Sequence, residues 1–183
     1  MGIISEYKPQ LLVAMPTLKD GYFDKSVVLL CDYDENGAMG FVINSPSQTS
    51  VAELLGEMGL KTDPPQESKI MIGGPVQAEM CWVLHTPEFC GQSTNLLGDT
   101  VALSAAQEVL TSITEGLVPL PYLLGVGYAG WGPGQLENEI EQGAWWLTDL
   151  DPFEIIRLPS DQRWENLITR LGLNTSYACY QRA

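Results

Sequence analysis

Apolar residues along this chain come in short runs broken by turn signals, and the runs predict more strands than helices. "LLVAM" (11–15) reads as a strand stopped by Pro16. "VVLLCDY" (27–33) and "AMGFVIN" (38–44) flank a short loop ending in Asn-Gly, which predicts an antiparallel hairpin. "KIMIG" (69–73), "EMCWVLH" (79–85), "TVALS" (100–104), "YLLGVGYA" (122–129), "AWWLT" (144–148) and "FEIIRL" (153–158) read as further strands, and 86–99 as loop.

Helical spacing is rarer. Ser50 with Glu53 forms a capping box ahead of Val51, Leu54, Leu55 and Met58, and Gly59 can end that helix. Ser104 with Gln107 repeats the box for a helix to about Glu115. Residues 133–142 predict a short helix, and the last runs from near Ser160 through Trp164, Leu167, Ile168 and Leu171 to Gly172. The fold class is therefore α/β with α+β character. It is a single domain over 1–183, with a mixed sheet flanked by about four helices and no strict Rossmann alternation.

Composition agrees with that picture: 45% hydrophobic and 17% charged residues in 183 describe a globular domain rather than a disordered chain. Charge changes the picture more. Nine Lys and Arg against 23 Asp and Glu give −14, and no Lys or Arg lies between Lys69 and Arg157. DNA binders draw much of their affinity from cations on phosphates, so direct nucleic-acid binding is not expected, nor is attachment to anionic membrane. No apolar run approaches the roughly 20 residues that span a bilayer. The start, "MGIISEYKPQ", has neither a secretory pattern nor a myristoylation pattern. Cys31, Cys81, Cys90 and Cys179 have no CxxC or metal-finger spacing, so four free thiols and a cytoplasmic location are expected.

The densest stretch is "GYAGWGPGQLENEI" (127–140). Gly132 suits an N-cap, Pro133 the first helical position, and Gln135 the place from which a side chain reaches back to the cap. Leu136 and Ile140 give the helix an apolar stripe. Phosphate binding at this helix start is disfavoured by Glu137 and Glu139 and by the absence of a lysine. A strand–turn–helix junction explains the glycines and proline but leaves Trp131, between Gly130 and Gly132, with two fates. It folds back as an anchor, the favoured reading, or it stands out as a contact residue.

Other candidates are thinner. Gly73 and Gly74 in "GGPV" read as a hairpin turn, with close backbone approach to a ligand as the lesser reading. His85, the only histidine, closes a strand; a hydrogen-bonded structural role is favoured over a general base. One histidine without a cysteine cluster or HExxH gives no metal site, and no cofactor motif appears. Asp20, Asp24, Asp32 and Asp34 crowd the first hairpin in a pattern that suits turns and lacks the EF-hand spacing.

With "AMPTLKDGYFDKSVVLLCDYDENGAMGFVIN" (14–44), "GGPVQ" (73–77), "VLH" (83–85), "GYAGWGPGQLENEIEQGAWW" (127–146) and "RWENLITRLGL" assembled, the chain resembles the AlgH/YqgE family, also called UPF0301 or DUF179. The resemblance runs in order along nearly the whole chain. It implies a bacterial-type cytosolic α/β protein with a mixed sheet, and implies no reaction. The family's label of transcriptional regulator comes without a DNA-binding motif. The resemblance brings Asp20, Ser26, Asn44, His85, Gln135, Glu137 and Trp131 with its glycines into view. Many relatives end in Gly-His-Ala, where this chain has "YACYQRA".

Two function classes stand. The first is a non-enzymatic regulatory or binding protein, with an unknown protein or small-molecule partner and a surface around Trp131, Gly130, Gly132, Gln135, Gly73, Gly74 and Asn44. The second is an enzyme using His85 with Asp20 or Glu137. Convergence of His85, Asp20 and Gln135 in one pocket would favour the enzyme.

Overall fold

The structure, a computed structural model, describes residues 8–19, 21–61 and 68–173. β1 (Gln10–Ala14), β2 (Val27–Asp34) and β3 (Gly37–Val42) form an antiparallel meander that places Leu11 opposite Leu29 and Leu29 opposite Phe41. The predicted hairpin is present: Asp34 Oδ1 accepts the Asn36 N–H at 2.7 Å in its turn. β10 (Trp145–Thr148) pairs with β1 and forms one edge of the sheet.

β5 (Lys69–Ile72), β6 (Val76–His85), β8 (Val101–Ala105) and β9 (Leu123–Trp131) build the other half, with two strands that the sequence does not predict: β4 (Pro46–Ser50), and β7 (Thr94–Leu97) within the 86–99 stretch read as loop. β4 is the polar run "PSQTS", and β7 is the four-residue run "TNLL", buried only at its two ends. Neither length nor hydrophobicity marks such strands. The order is β10-β1-β2-β3-β9-β6-β8-β7, with β4 and β5 branching from β9. Only β5–β9 is parallel, so the sheet is mixed, as predicted.

β9 joins the halves. Its end, Ala129–Trp131, pairs with β3, while its earlier residues pair with β6 and β5. β9 thus lies between β5 and β6, so "GGPV" is not the hairpin turn that was expected. Gly73 and Gly74 are there because backbones touch. A Cβ on Gly74 would stand 2.1 Å from the Tyr128 carbonyl, and one on Gly73 would stand 2.3 Å from the Gly127 oxygen. The closeness is of one strand against another.

Among the described residues there are five α-helices, one more than predicted. α1 (Val51–Glu57) has its capping box, with Ser50 Oγ accepting the Glu53 N–H and Glu53 accepting the Ser50 N–H. α2 (Ala106–Thr114) does not: Ala105 is its N-cap without a side-chain bond, because Ser104 belongs to β8 and turns elsewhere. α3 (Gln135–Glu141) follows the 132–134 turn. α4 (Pro152–Ile156) replaces the strand expected at 153–158. Asp151 caps it by accepting the Phe153 N–H at 3.0 Å, and Pro152 opens it. A five-residue apolar run cannot by itself distinguish strand from helix, and here the Asp-Pro start decides. After a 3-10 turn at Ser160–Gln162, α5 (Arg163–Arg170) begins close to where the last helix was predicted.

The sheet separates three apolar clusters. One gathers Leu29, Phe41, Trp82, Leu84, Phe153 and Leu167 under α4 and α5. A second packs α1 and α2 through Leu55, Val83 and Leu110. The third holds Leu12, Val28, Trp131, Leu136 and Trp145 beneath α3. Arg163 ties the first together: its buried guanidinium donates to the carbonyls of Ile43, Ile156 and Leu158. Desolvation lowers its pKa to about 10, which still leaves it a cation at neutral pH.

Candidate functional site

Trp131 ends β9, and alternation along the strand points it into the third cluster, where only 6% of its surface remains exposed. Its ring lies 6.3 Å from Phe23 in a stack and 6.0 Å from Trp145 edge-on. Its indole N–H donates to Glu139 Oε2 at 2.9 Å. The Trp145 indole donates to the same oxygen at 2.9 Å, and Gln135 Nε2 donates to Oε1 at 3.1 Å. Gln135 Oε1 in turn accepts the Gly132 N–H at 3.0 Å. This is the predicted reach back from helix to cap, although Gly134, at φ 74°, is the capping residue. Glu139, which sequence reasoning passed over, is thus the hub of the stretch. A spacing of eight from Trp131 and six from Trp145 gave no motif to recognise.

His85 closes β6 and is fully buried. One ring nitrogen, Nδ1, lies 2.8 Å from the Thr86 carbonyl, which can only accept, so Nδ1 carries the proton. Nε2 then accepts from the Ser104 hydroxyl at 2.7 Å. Ser104 Oγ accepts from Thr94 at 2.7 Å, and Thr94 accepts the Gly91 N–H at 2.8 Å. The chain ties β6, β8, β7 and the 86–93 loop together. Desolvation lowers the His85 pKa and keeps the ring neutral. Ser104 and His85 have the atoms of a nucleophile–base pair. A backbone carbonyl takes the place of the carboxylate that would stabilise an imidazolium, and Ser104 is only 2% exposed. That arrangement locks a tautomer and offers no face to a substrate.

The remaining candidates are dispersed. Glu137 is exposed and lies near Tyr33, whose phenol is pushed up first by desolvation and then by that carboxylate. Asn44 clamps a turn: Oδ1 accepts the Val27 N–H and Nδ2 donates to the Lys25 carbonyl, both at 2.8 Å. Lys25 has a positive φ of 56°, and the clamp holds it there. Ser26 is buried beside it. Asp20 lies outside the described residues. No hydrogen bond or ion pair joins His85 to Glu137 or Gln135 among the described residues, and no three His, Cys, Asp or Glu side chains there group as a metal would need.

The profile described as AlgH-like (DUF179) matches residues 11–176. The chain belongs to this family. A UPF0301 protein of Thioalkalivibrio sulfidiphilus is 38% identical over 96% of this chain and 95% of its own. One from Chromobacterium violaceum is 38% identical over 90% of each. The solution structure of AlgH from Pseudomonas aeruginosa superposes with a TM-score of 0.76 at 38% identity, over 98% of this chain and 97% of that one. A crystal structure from Corynebacterium diphtheriae, at 23% identity, shares the fold with a TM-score of 0.72 over 93% and 90%. In this AlgH-like chain the 127–140 stretch is thus a packed junction, with Trp131, Gly132, Gln135 and Glu139 bonded to one another.

Proposed function

We propose that this AlgH-like protein acts by binding a partner, in a regulatory role, and not by catalysis. The observation that carries the reading is the engagement of His85. Both ring nitrogens are bonded within the fold, at 2.8 Å and 2.7 Å, with no carboxylate on either. Among the described residues the other candidates lie elsewhere: Glu137 acts on Tyr33, and Gln135 bonds Gly132 and Glu139. A general base needs an accessible nitrogen within reach of a substrate proton.

The partner is a protein or a small molecule rather than DNA, a reading supported by the −14 charge and the cation-free interval from 70 to 156. No helix among the described residues is long and apolar enough to cross a membrane. The free Cys31, Cys81 and Cys90 support a cytoplasmic setting. Affinity capture from native lysate, followed by titration of the recovered partner, tests the reading, together with a gel-shift titration on DNA. A stoichiometric, saturable complex is the expected result. Two results would overturn it: a turnover abolished by His85→Gln in a folded protein, or sequence-selective DNA binding tighter than roughly micromolar.

A further inference from the structure

Residues on β9 alternate between a covered and an uncovered side. Ala129 and Trp131 are buried beneath α3, whereas Tyr128 is half-buried and Gly130 exposed on the opposite side. Met39 pairs with Gly130 across β3–β9, and Asp32 pairs with Met39 across β2–β3. Directly opposed residues project from the same face, so Asp32, Met39 and Gly130 form a row across three strands. Met80 flanks that row from β6. It packs, half-buried, against the same core as Met39 and Tyr128, where β6 shifts register and turns Gln77–Glu79 outward. On this side α5 packs against β1, three strands from β9 in the sheet order.

We infer that this sheet face, uncovered among the described residues and centred on Gly130, docks a segment of a partner protein that carries arginine or lysine beside apolar side chains. The inference rests on the binding reading above and gives it a place and a partner chemistry. Methionine and tyrosine suit such a surface, because thioethers adapt to a partner and aromatic rings give area at low entropic cost. Charge selects the occupant. β2, β3, β6 and β9 all fall in the intervals 26–60 and 70–156, which contain no Lys or Arg, and their carboxylates are Asp32, Asp34 and Glu79. With nothing on these strands to neutralise them, those carboxylates favour a cationic partner. A second copy of this chain, itself at −14, is disfavoured, as are nucleic acid and anionic lipid.

Gly130 supplies the test. A Cβ built on it meets only the Tyr128 ring, at 3.7 Å, and its φ is not in the left-handed region. A side chain there fits the fold and projects into the docking surface. The probe is a short fluorescein-labelled peptide of alternating leucine and arginine, followed by fluorescence polarisation at about 150 mM salt. Saturable binding to the wild type is expected. Gly130→Leu and Asp32→Lys should each weaken it by more than about tenfold, with unchanged urea midpoints. Asp32→Asn should weaken it less, and it also serves if the lysine variant fails to fold. Glu57→Lys makes the same charge change on the exposed end of α1, which packs on another face, and should leave affinity within about twofold. No binding to the wild type overturns the inference. So does equal weakening by Glu57→Lys, which would mean attraction by net charge alone, or wild-type affinity in Gly130→Leu. A captured partner whose affinity ignores Gly130→Leu would sink this surface and leave the binding reading standing. Failure to capture any saturable partner would count against that reading instead.

Discussion

Replacing Trp131 by alanine tests whether the glycine-rich stretch from 127 to 140 is architecture. The ring is 6% exposed and contacts Phe23 and Trp145, so truncation removes most of a large aromatic from a packed cluster. Such losses run at about 3–5 kcal/mol. The polar component separates from the apolar one. Trp131→Phe keeps an aromatic ring beside Phe23 but loses the N–H that reaches Glu139, a bond to a charged acceptor, together with part of the buried ring, so a loss of at least about 1.5 kcal/mol and less than that of the alanine variant is expected. Glu139→Leu leaves the Trp131 and Trp145 indole N–H groups without their acceptor. Both are part-buried and water can replace some of the loss, which puts the cost at about 2 kcal/mol.

Urea denaturation followed by far-UV circular dichroism is the assay, since tryptophan emission would change with the substitution itself. Trp131→Phe combined with Glu139→Leu should cost less than the sum of the two, because both remove the same bond. A Trp131→Ala loss below about 1 kcal/mol would refute the anchor reasoning and turn this loop into a candidate contact surface.

Three further outcomes follow from buried groups. His85 has a folded pKa below its ordinary 6.5 because burial disfavours the cation, so the unfolded chain takes up the proton first. Stability is therefore full above pH 6.5 and falls as pH drops below it, by at most about 1.4 kcal/mol per pH unit. That component should be absent from His85→Gln and so appear in the wild-type minus His85→Gln difference measured by urea titration from pH 7.5 to 5. Arg163→Lys cannot reach three carbonyls with one ammonium and should lose about 2 kcal/mol or more in the same assay; an unchanged midpoint would refute the tie between β3 and α4. Among the described cysteines, exposed Cys90 should react with a thiol reagent in native protein. Buried Cys31, its pKa raised by desolvation and by Asp32, should wait for unfolding, and mass mapping of the labelled sites decides it.

Much of the fold is legible because it is local. The Asp34–Gly37 turn, the Ser50–Glu53 capping box and the Gln135 reach to Gly132 each depend on residues at most three apart. The failures have the opposite character. Ser104 and Gln107 have capping-box spacing, yet the Ser104 hydroxyl serves His85, nineteen positions earlier, because β6 lies beside β8. "GGPV" has the composition of a hairpin turn, but inserting β9 between β5 and β6 makes it a close crossing of backbones.

The same distinction governs what a candidate site looks like from sequence. His85, Asn44, Gln135 and Trp131 attract attention as polar or aromatic residues at turns and strand ends. In the fold each directs its polar atoms to a neighbouring element, so each has a structural partner that accounts for it. Binding surfaces on sheets are written differently. They depend on which part of a face the helices leave exposed, and nothing in "GYAGW" says that α5 packs against β1 while Gly130 stays exposed. The charge pattern does carry that information in part. A run of 35 residues from 26 to 60 and another of 87 from 70 to 156 contain no cation, and the strands that meet at Gly130 come from both. Either run alone reads as solubility. Folded together, they leave one sheet face whose carboxylates have no cation on their own strands, and that unbalanced field favours a cationic partner.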